Sequence, residues 1–161
     1  MPINIANYFE ADRRSAKAGE TLDMGMVVKV SDWGNGERKL LKVTSSGDLV
    51  AENYAVVYKV SAEPYQVTTS TVASQFGSRI TTISSGDSVV EVRRGAIIEY
   101  SADLLDASLD PARGGVTPKV TDALGVVNAR FCAASAGSAI NTPMIANVFR
   151  VFGTKVLIEL K

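Results

Sequence analysis

The 161-residue chain contains no histidine. That absence removes the commonest general base, the commonest zinc ligand and every Ser–His or Cys–His arrangement. A Ser–Lys dyad is the remaining hydrolytic option, but serine and lysine are scattered through the chain without a spacing that sets a nucleophile against a base. Three carboxylates do recur at helical spacing, because Asp103, Asp106 and Asp110 would share one face of a helix. As chemistry this is a hard-cation site, yet such a site needs further oxygen ligands and a loop glycine that the segment lacks. The plainer reading is a short solvated helix whose Leu104, Leu105 and Leu109 face the core.

The basic groups are read the same way. Arg93-Arg94-Gly95 and Arg113-Gly114-Gly115 would suit nucleic acid only with interleaved aromatics and a basic surplus, whereas 17 Lys and Arg balance 17 Asp and Glu. Both motifs are expected as solvated hairpin tips, with salt bridges across a subunit boundary as the lesser reading. Cys132, the lone cysteine, lies in the small apolar stretch Arg130-Phe131-Cys132-Ala133-Ala134; a buried structural thiol is expected. Neither a phosphate-cradling glycine loop nor a dinucleotide fingerprint follows any strand. The sequence therefore assigns no catalytic residue, no cofactor and no metal ligand.

An apolar content of 46% builds one continuous core in a chain of this length. A neutral balance gives no field to gather nucleic acid or anionic lipid, so neither is expected as a partner. No apolar run reaches the roughly 20 residues of a membrane-spanning helix, and the N-terminus lacks the pattern of a secretory signal.

Glycine-led turns followed by β-branched runs organise the rest. Gly19-Glu20-Thr21-Leu22-Asp23-Met24-Gly25 leads into Met26–Val30, and Ser84-Ser85-Gly86-Asp87 leads into Ser88–Val92. Ten short strands are predicted: Met26–Ser31, Arg38–Thr44, Tyr54–Ser61, Tyr65–Thr71, Ser88–Arg93, Ala96–Ser101, Val116–Thr121, Val126–Phe131, Ile145–Phe152 and Lys155–Leu160. They imply an all-β domain, a small barrel or sandwich, spanning residues 19–161. Residues 1–18 read as an arm, extended or briefly helical, and Ser101–Asp110 as one short helix. Positive-φ turns are expected at Asp32-Trp33-Gly34-Asn35-Gly36 and Ser45-Ser46-Gly47-Asp48, and a hairpin through Arg93-Arg94-Gly95. The repeated Ser-Ser-Gly-Asp phrase fits duplication and coincidence equally well. Gln66–Ile83 is rich in serine and threonine, and its β-branched content leans toward strand.

In order and spacing these motifs resemble the capsid decoration, or cement, proteins of tailed bacteriophages. The resemblance runs through the glycine-led opening Ala18–Val30, the strand Tyr54–Ala62, the segment Val90–Asp103, Thr117–Thr121 and the closing strand Val156–Leu160. It implies a structural, non-enzymatic virion protein. Such a protein is made in the host cytoplasm and binds the major capsid protein on the outer face of the assembled head. It also implies a homo-oligomer, with a trimer favoured and a dimer as the alternative. Bulky groups on both faces of the Val148, Phe149, Val151 and Phe152 strand require a second layer over each face. That layer is either another sheet of this chain or a neighbouring subunit.

Within that frame, Ile3, Ile5, Tyr8 and Phe9 are expected to pack on the capsid or a neighbouring subunit, with Arg13 and Arg14 pairing to acidic groups there. Packing of the arm on its own domain is the competing expectation. Trp33 is either a loop aromatic folded over the core or an exposed anchor. Two other functions remain in play: a fibre, baseplate or carbohydrate-binding β module, against which aromatic content of 7% argues, and an enzyme or its regulatory β domain.

Overall fold

The computed structural model describes residues 3–6, 12–33, 36–49, 53–59, 82–137, 139–140 and 145–161. They form an all-β fold. Its strands are β1 (Ile3–Ile5), β2 (Arg13–Ala18), β3 (Leu22–Asp23), β4 (Val27–Trp33), β5 (Glu37–Lys42), β6 (Tyr54–Tyr58) and β7 (Thr82–Ile83). The second half adds β8 (Ser88–Val92), β9 (Ile97–Ser101), β10 (Leu124–Val127), β11 (Arg130–Ala133), β12 (Ala146–Phe152) and β13 (Lys155–Leu160). Two larger units result. A closed barrel has the order β2-β5-β4-β6-β8, and an open four-stranded sheet has the order β1-β9-β13-β12.

Side-chain size explains the barrel. Five strands enclose a narrow lumen, and alternate residues must fill it. The inward positions supply Ala16, Ala18 and Ala55 between Val28, Leu40, Val57 and Val89, all buried. All neighbours pair antiparallel except β2 and β5, which run parallel at Lys17 opposite Lys39 and Ala18 opposite Leu40. The short pair β3–β7 and the tip of the β10–β11 hairpin join the same interior: Leu22, Ile83 and Ala129 lie in the barrel cluster. The Val27 amide donates to the Ala129 carbonyl at 2.7 Å.

The open sheet is built from larger residues, with Ile3, Ile98, Tyr100, Ile158 and Leu160 all nearly inaccessible. Two tyrosines tie it to the barrel from opposite sides. Tyr54 of β6 reaches the Ile145 carbonyl at 3.0 Å, and Tyr100 of β9 donates to the Gly25 carbonyl at 2.8 Å. Tyr100 also meets Phe131 edge to face, with ring centroids 5.9 Å apart. Gly25 is required here: its φ is +83°, and a Cβ would lie 2.7 Å from the Tyr100 ring.

Several expectations need correction. Residues 13–18 are a barrel strand, because both edges of β2 find partners, in β8 and β5. Arg93-Arg94-Gly95 does not turn a hairpin: β8 is already flanked by β2 and β6, so the chain crosses to the open sheet, where β9 pairs with β1 and β13. Val126–Phe131 is split by Asn128 and Ala129, whose φ values of +48° and +59° make the tight turn between β10 and β11. Val116–Thr121 is not a strand; its valines are exposed and the segment runs as coil.

Ser101–Asp110 is not one helix but a run of 3-10 turns, Ala102–Leu104 and Ala107–Leu109, continued by Pro111–Arg113. Its leucines do face the core. Gly36 has the expected positive φ, as do Gly95 and Gly153, whereas Gly47 lies inside a 3-10 turn instead. The predicted strand Tyr65–Thr71 lies outside the described residues, as does Gln66–Ile83 up to Thr82–Ile83, which form β7.

Candidate functional site

The densest charge in the described structure is inside the barrel. Glu91 shares inward parity with Val89 on β8, and Arg38 shares it with Leu40 on β5, but the Arg38 side chain stays 32% exposed at the barrel's rim. Glu91 is fully buried. Arg38 forks onto it, Nε to Oε2 at 3.0 Å and Nη2 to Oε1 at 2.6 Å, and Arg93 Nη1 adds a third bond at 3.1 Å. Arg93 is itself only 5% exposed, so the expectation of a solvated tip fails for it. Its Nε approaches Asp12 at 3.7 Å, a carboxylate brought there by the entry to β2. A buried carboxylate so surrounded has its lone pairs taken up by the two guanidinium groups. An open cleft of about 530 Å³ beside Arg38, lined by Ser15, Lys17, Glu37 and Ser88 among others, holds no converging catalytic groups.

Sequence reasoning missed this cluster. The signal was present in the alternation of Ser88-Val89-Val90-Glu91-Val92, which places Glu91 on the same face as Val89 and hence in the core.

The Asp103, Asp106 and Asp110 grouping is structural. Asp106 accepts the Ser108 amide and Asp110 the Ala112 amide, each capping a 3-10 turn. Burial pushes Asp106 up, but the Ser108 and Ala107 amides, the Ser108 hydroxyl and Arg113 outweigh it and hold the carboxyl below its ordinary value. Asp110 is held low first by its hydrogen bond to Arg113, at 2.7 Å. Arg113 is exposed, as expected, and also donates to the carbonyls of Ala102 and Leu105, so it fastens the coil from the surface. Cys132 is buried. Desolvation, with the Asp106 charge behind it, pushes its thiol from 9.0 up to about 11, which makes it an inert group. Among the described residues, no three His, Cys, Asp or Glu side chains gather as metal ligands, and no helix is long and apolar enough to cross a membrane.

The arm residues are placed as follows. Ile3 and Ile5 are 1% and 5% exposed, paired through β1 to β9 and buried in the chain's own core. They are therefore not offered to a neighbour. Arg13 and Arg14 stand on β2 opposite Val92 and Glu91. Arg14 lies 3.6 Å from Asp12 of its own chain, an exposed pair of little energetic weight. Tyr8 and Phe9 lie outside the described residues. Trp33 ends β4 opposite Glu37, with its side chain outside the description.

A different surface is uncovered. β12 is the outer strand of the open sheet, and its register with β13 slips: Val148 faces Ile158, then Arg150 faces Leu157. Phe149 is thus an extra residue, a bulge. Val148 and Val151 keep inward parity with Ile158 and Val156, while Arg150 and Phe152 stand on the outer face. Phe149 and Phe152 are 45% and 47% exposed, and the Arg150 guanidinium lies 5.9 Å over the Phe152 ring. Among the described residues, the second layer expected over each face covers the inner face only.

The coil before β10 completes this surface. Thr121 donates its amide to the Val148 carbonyl at 2.8 Å, and Val148 donates to the Asp122 carbonyl at 2.9 Å. Val120, 55% exposed, directly precedes the residue that bonds Val148. Thr121 holds φ of +74°, a left-handed conformation that a β-branched residue rarely adopts.

A scan against models of known protein families finds no match to this chain, and a comparison with curated proteins finds no relative.

Proposed function

We propose that this chain is a structural, non-enzymatic protein of a tailed-phage head. It binds the outer surface of the assembled capsid and stabilises the lattice. The ordered motifs described above support this reading by their resemblance to decoration proteins, and a homo-oligomer, trimer before dimer, rests on that resemblance alone. The observation that carries binding over catalysis is the outer face of β12, where Phe149, Arg150 and Phe152 stand exposed. A ligand that holds only the expanded lattice stabilises it by mass action, so many modest contacts suffice on a pressurised shell.

The test is co-sedimentation of the purified protein with unexpanded and expanded heads of the parent phage, with light scattering on the free protein. Saturable binding to expanded heads only is the expected result. Absence of binding to both forms removes the proposal and favours a surface-binding module, which a glycan array would then identify.

A further inference from the structure

Resting on the head-binding reading, we infer that the patch Val120, Phe149, Arg150 and Phe152, with Lys119 at its margin, is the face that meets the capsid. Its counterpart on the shell is an apolar socket carrying carboxylates.

Three features of the patch are unusual for a solvated strand. Regular alternation from the inward Val148 would turn Arg150 and Phe152 inward; the one-residue slip after Val148 instead puts both on the outer face, where Phe149 is also exposed. Arg150 is stacked on one of these rings, and among the described residues no carboxylate pairs with it or with the Lys119 ammonium. Thr121 is held in a left-handed conformation at the point where the coil locks onto β12, and strain of this kind concentrates where a surface is held for use. Aromatic side chains beside an arginine are the composition of an interface hot spot.

Charge selects the occupant. Elsewhere on the described surface the cations are largely partnered: Lys29 with Asp48, Lys59 with Asp87, Arg130 with Asp23 and Lys155 with Glu99. At the patch, Asp122 is turned to the Lys119 amide at 2.8 Å as a turn cap, and Glu159 lies farther along the sheet, opposite Asn147. A second copy docking by the same patch about a two-fold axis would bring Arg150 and Lys119 toward their own equivalents. An acidic partner meets them with opposite charge. The bulge also twists the strand edge away from straightforward pairing, so the contact is made by the side-chain face rather than by adding a strand.

The experiment uses expanded heads lacking this protein as the probe and four full-length chains. These are wild type, the double variant Phe149→Ser/Phe152→Ser, Arg150→Glu and Arg150→Lys, each checked for native thermal unfolding and for oligomeric state. The double variant should bind on the order of 100-fold more weakly than wild type, on the scale of lost hot-spot residues. Arg150→Glu should weaken binding on the order of 10-fold, with a flatter salt dependence, and Arg150→Lys should retain most of the affinity. Wild-type binding with unchanged affinity in the double variant overturns the inference. So does loss of self-association with head binding intact at matched protomer concentration, which would make the patch a contact between copies. Failure of wild type itself to bind heads is a separate result that removes the head-binding reading and the inference with it.

Discussion

The barrel and the open sheet share one chain and face the same problem in opposite ways. Strand edges and mixed polar groups must be dealt with somewhere. The barrel consumes both: its strands close on one another, and Glu91 is taken inside with Arg93 buried beside it and Arg38 reaching in from the rim. The sheet leaves more in view: β12 ends the order β1-β9-β13-β12, its edge met at Val148 by Thr121 and Asp122, and its outer aromatics stand bare. The contrast separates two jobs within one fold. Polar groups in the barrel are consumed by the structure, whereas under the head-binding proposal those on β12 are left for another molecule.

If that separation holds, perturbing the barrel cluster should have the largest effect on stability and none that is specific to binding. Arg38→Ala or Glu91→Gln strands buried charge and should lower unfolding free energy by about 3–5 kcal/mol in urea titrations. A loss under about 1 kcal/mol would mean that water reaches the cluster freely. Gly25→Ala forces a left-handed alanine against the Tyr100 ring and should cost about 2–3 kcal/mol, combining overpacking with backbone strain. It tests whether the clasp between barrel and sheet is as tight as its geometry.

Acid and alkali should act on the turns and the core in a predictable order. Asp48 is pushed up by burial but pulled lower still by the Thr44 and Ser45 amides and by Lys29. Asp87 is lowered by Lys59 and the Ser84 amide. With Asp106 and Asp110, these groups have folded values below the unperturbed 3.8. Their stabilisation is present above that pH and disappears as pH falls through the lowered values. Burial raises Cys132 from 9.0 to about 11 and Tyr54 from 10.0 to about 12, so their contributions persist below the ordinary values and fade as pH climbs through the raised ones. With no histidine, unfolding midpoints should be nearly flat between about pH 5 and 8.

The smallest stability effects belong to the patch. Thr121→Gly relieves a left-handed threonine and should change stability by no more than about 1 kcal/mol, in the favourable direction. Phe149→Ser should leave unfolding within about 0.5 kcal/mol of wild type. A large loss at Phe149 would place that ring in the core and erase the distinction between the two regions.

Much of the strand content was legible, and the reasons are local. Runs such as Val27–Val30, Ala55–Val57 and Val156–Ile158 are β-branched or apolar and bounded by turn residues, so their state follows from neighbours in sequence. Pairing is not local, which is why Val89–Tyr100 looked like a hairpin: the apolar pattern describes each strand but carries nothing about the competitors for its edges. Val116 and Val120 misled for the converse reason, being β-branched residues left in solvent. The repeated Ser-Ser-Gly-Asp phrase does the same job twice, its aspartate capping a turn and pairing with a lysine, Lys29 within β4 and Lys59 just past β6. The backbones nevertheless differ, since Gly86 is left-handed and Gly47 is not. Of the candidate site, the unequal faces of β12 could be glimpsed in Phe149 and Phe152, but the bulge is a one-residue slip that composition does not record.

The pairings of the first strands also set a timetable. Ile3 lies opposite Tyr100 and Arg13 opposite Val92, so each early segment waits for a partner that the ribosome makes much later. Contacts this distant in sequence close slowly. Until β8 is made, β2 and β6 lack the neighbour they share and the barrel cannot close. The next strand, β9, gives β1 its partner, while the sheet waits for β12 and β13 at the chain's end.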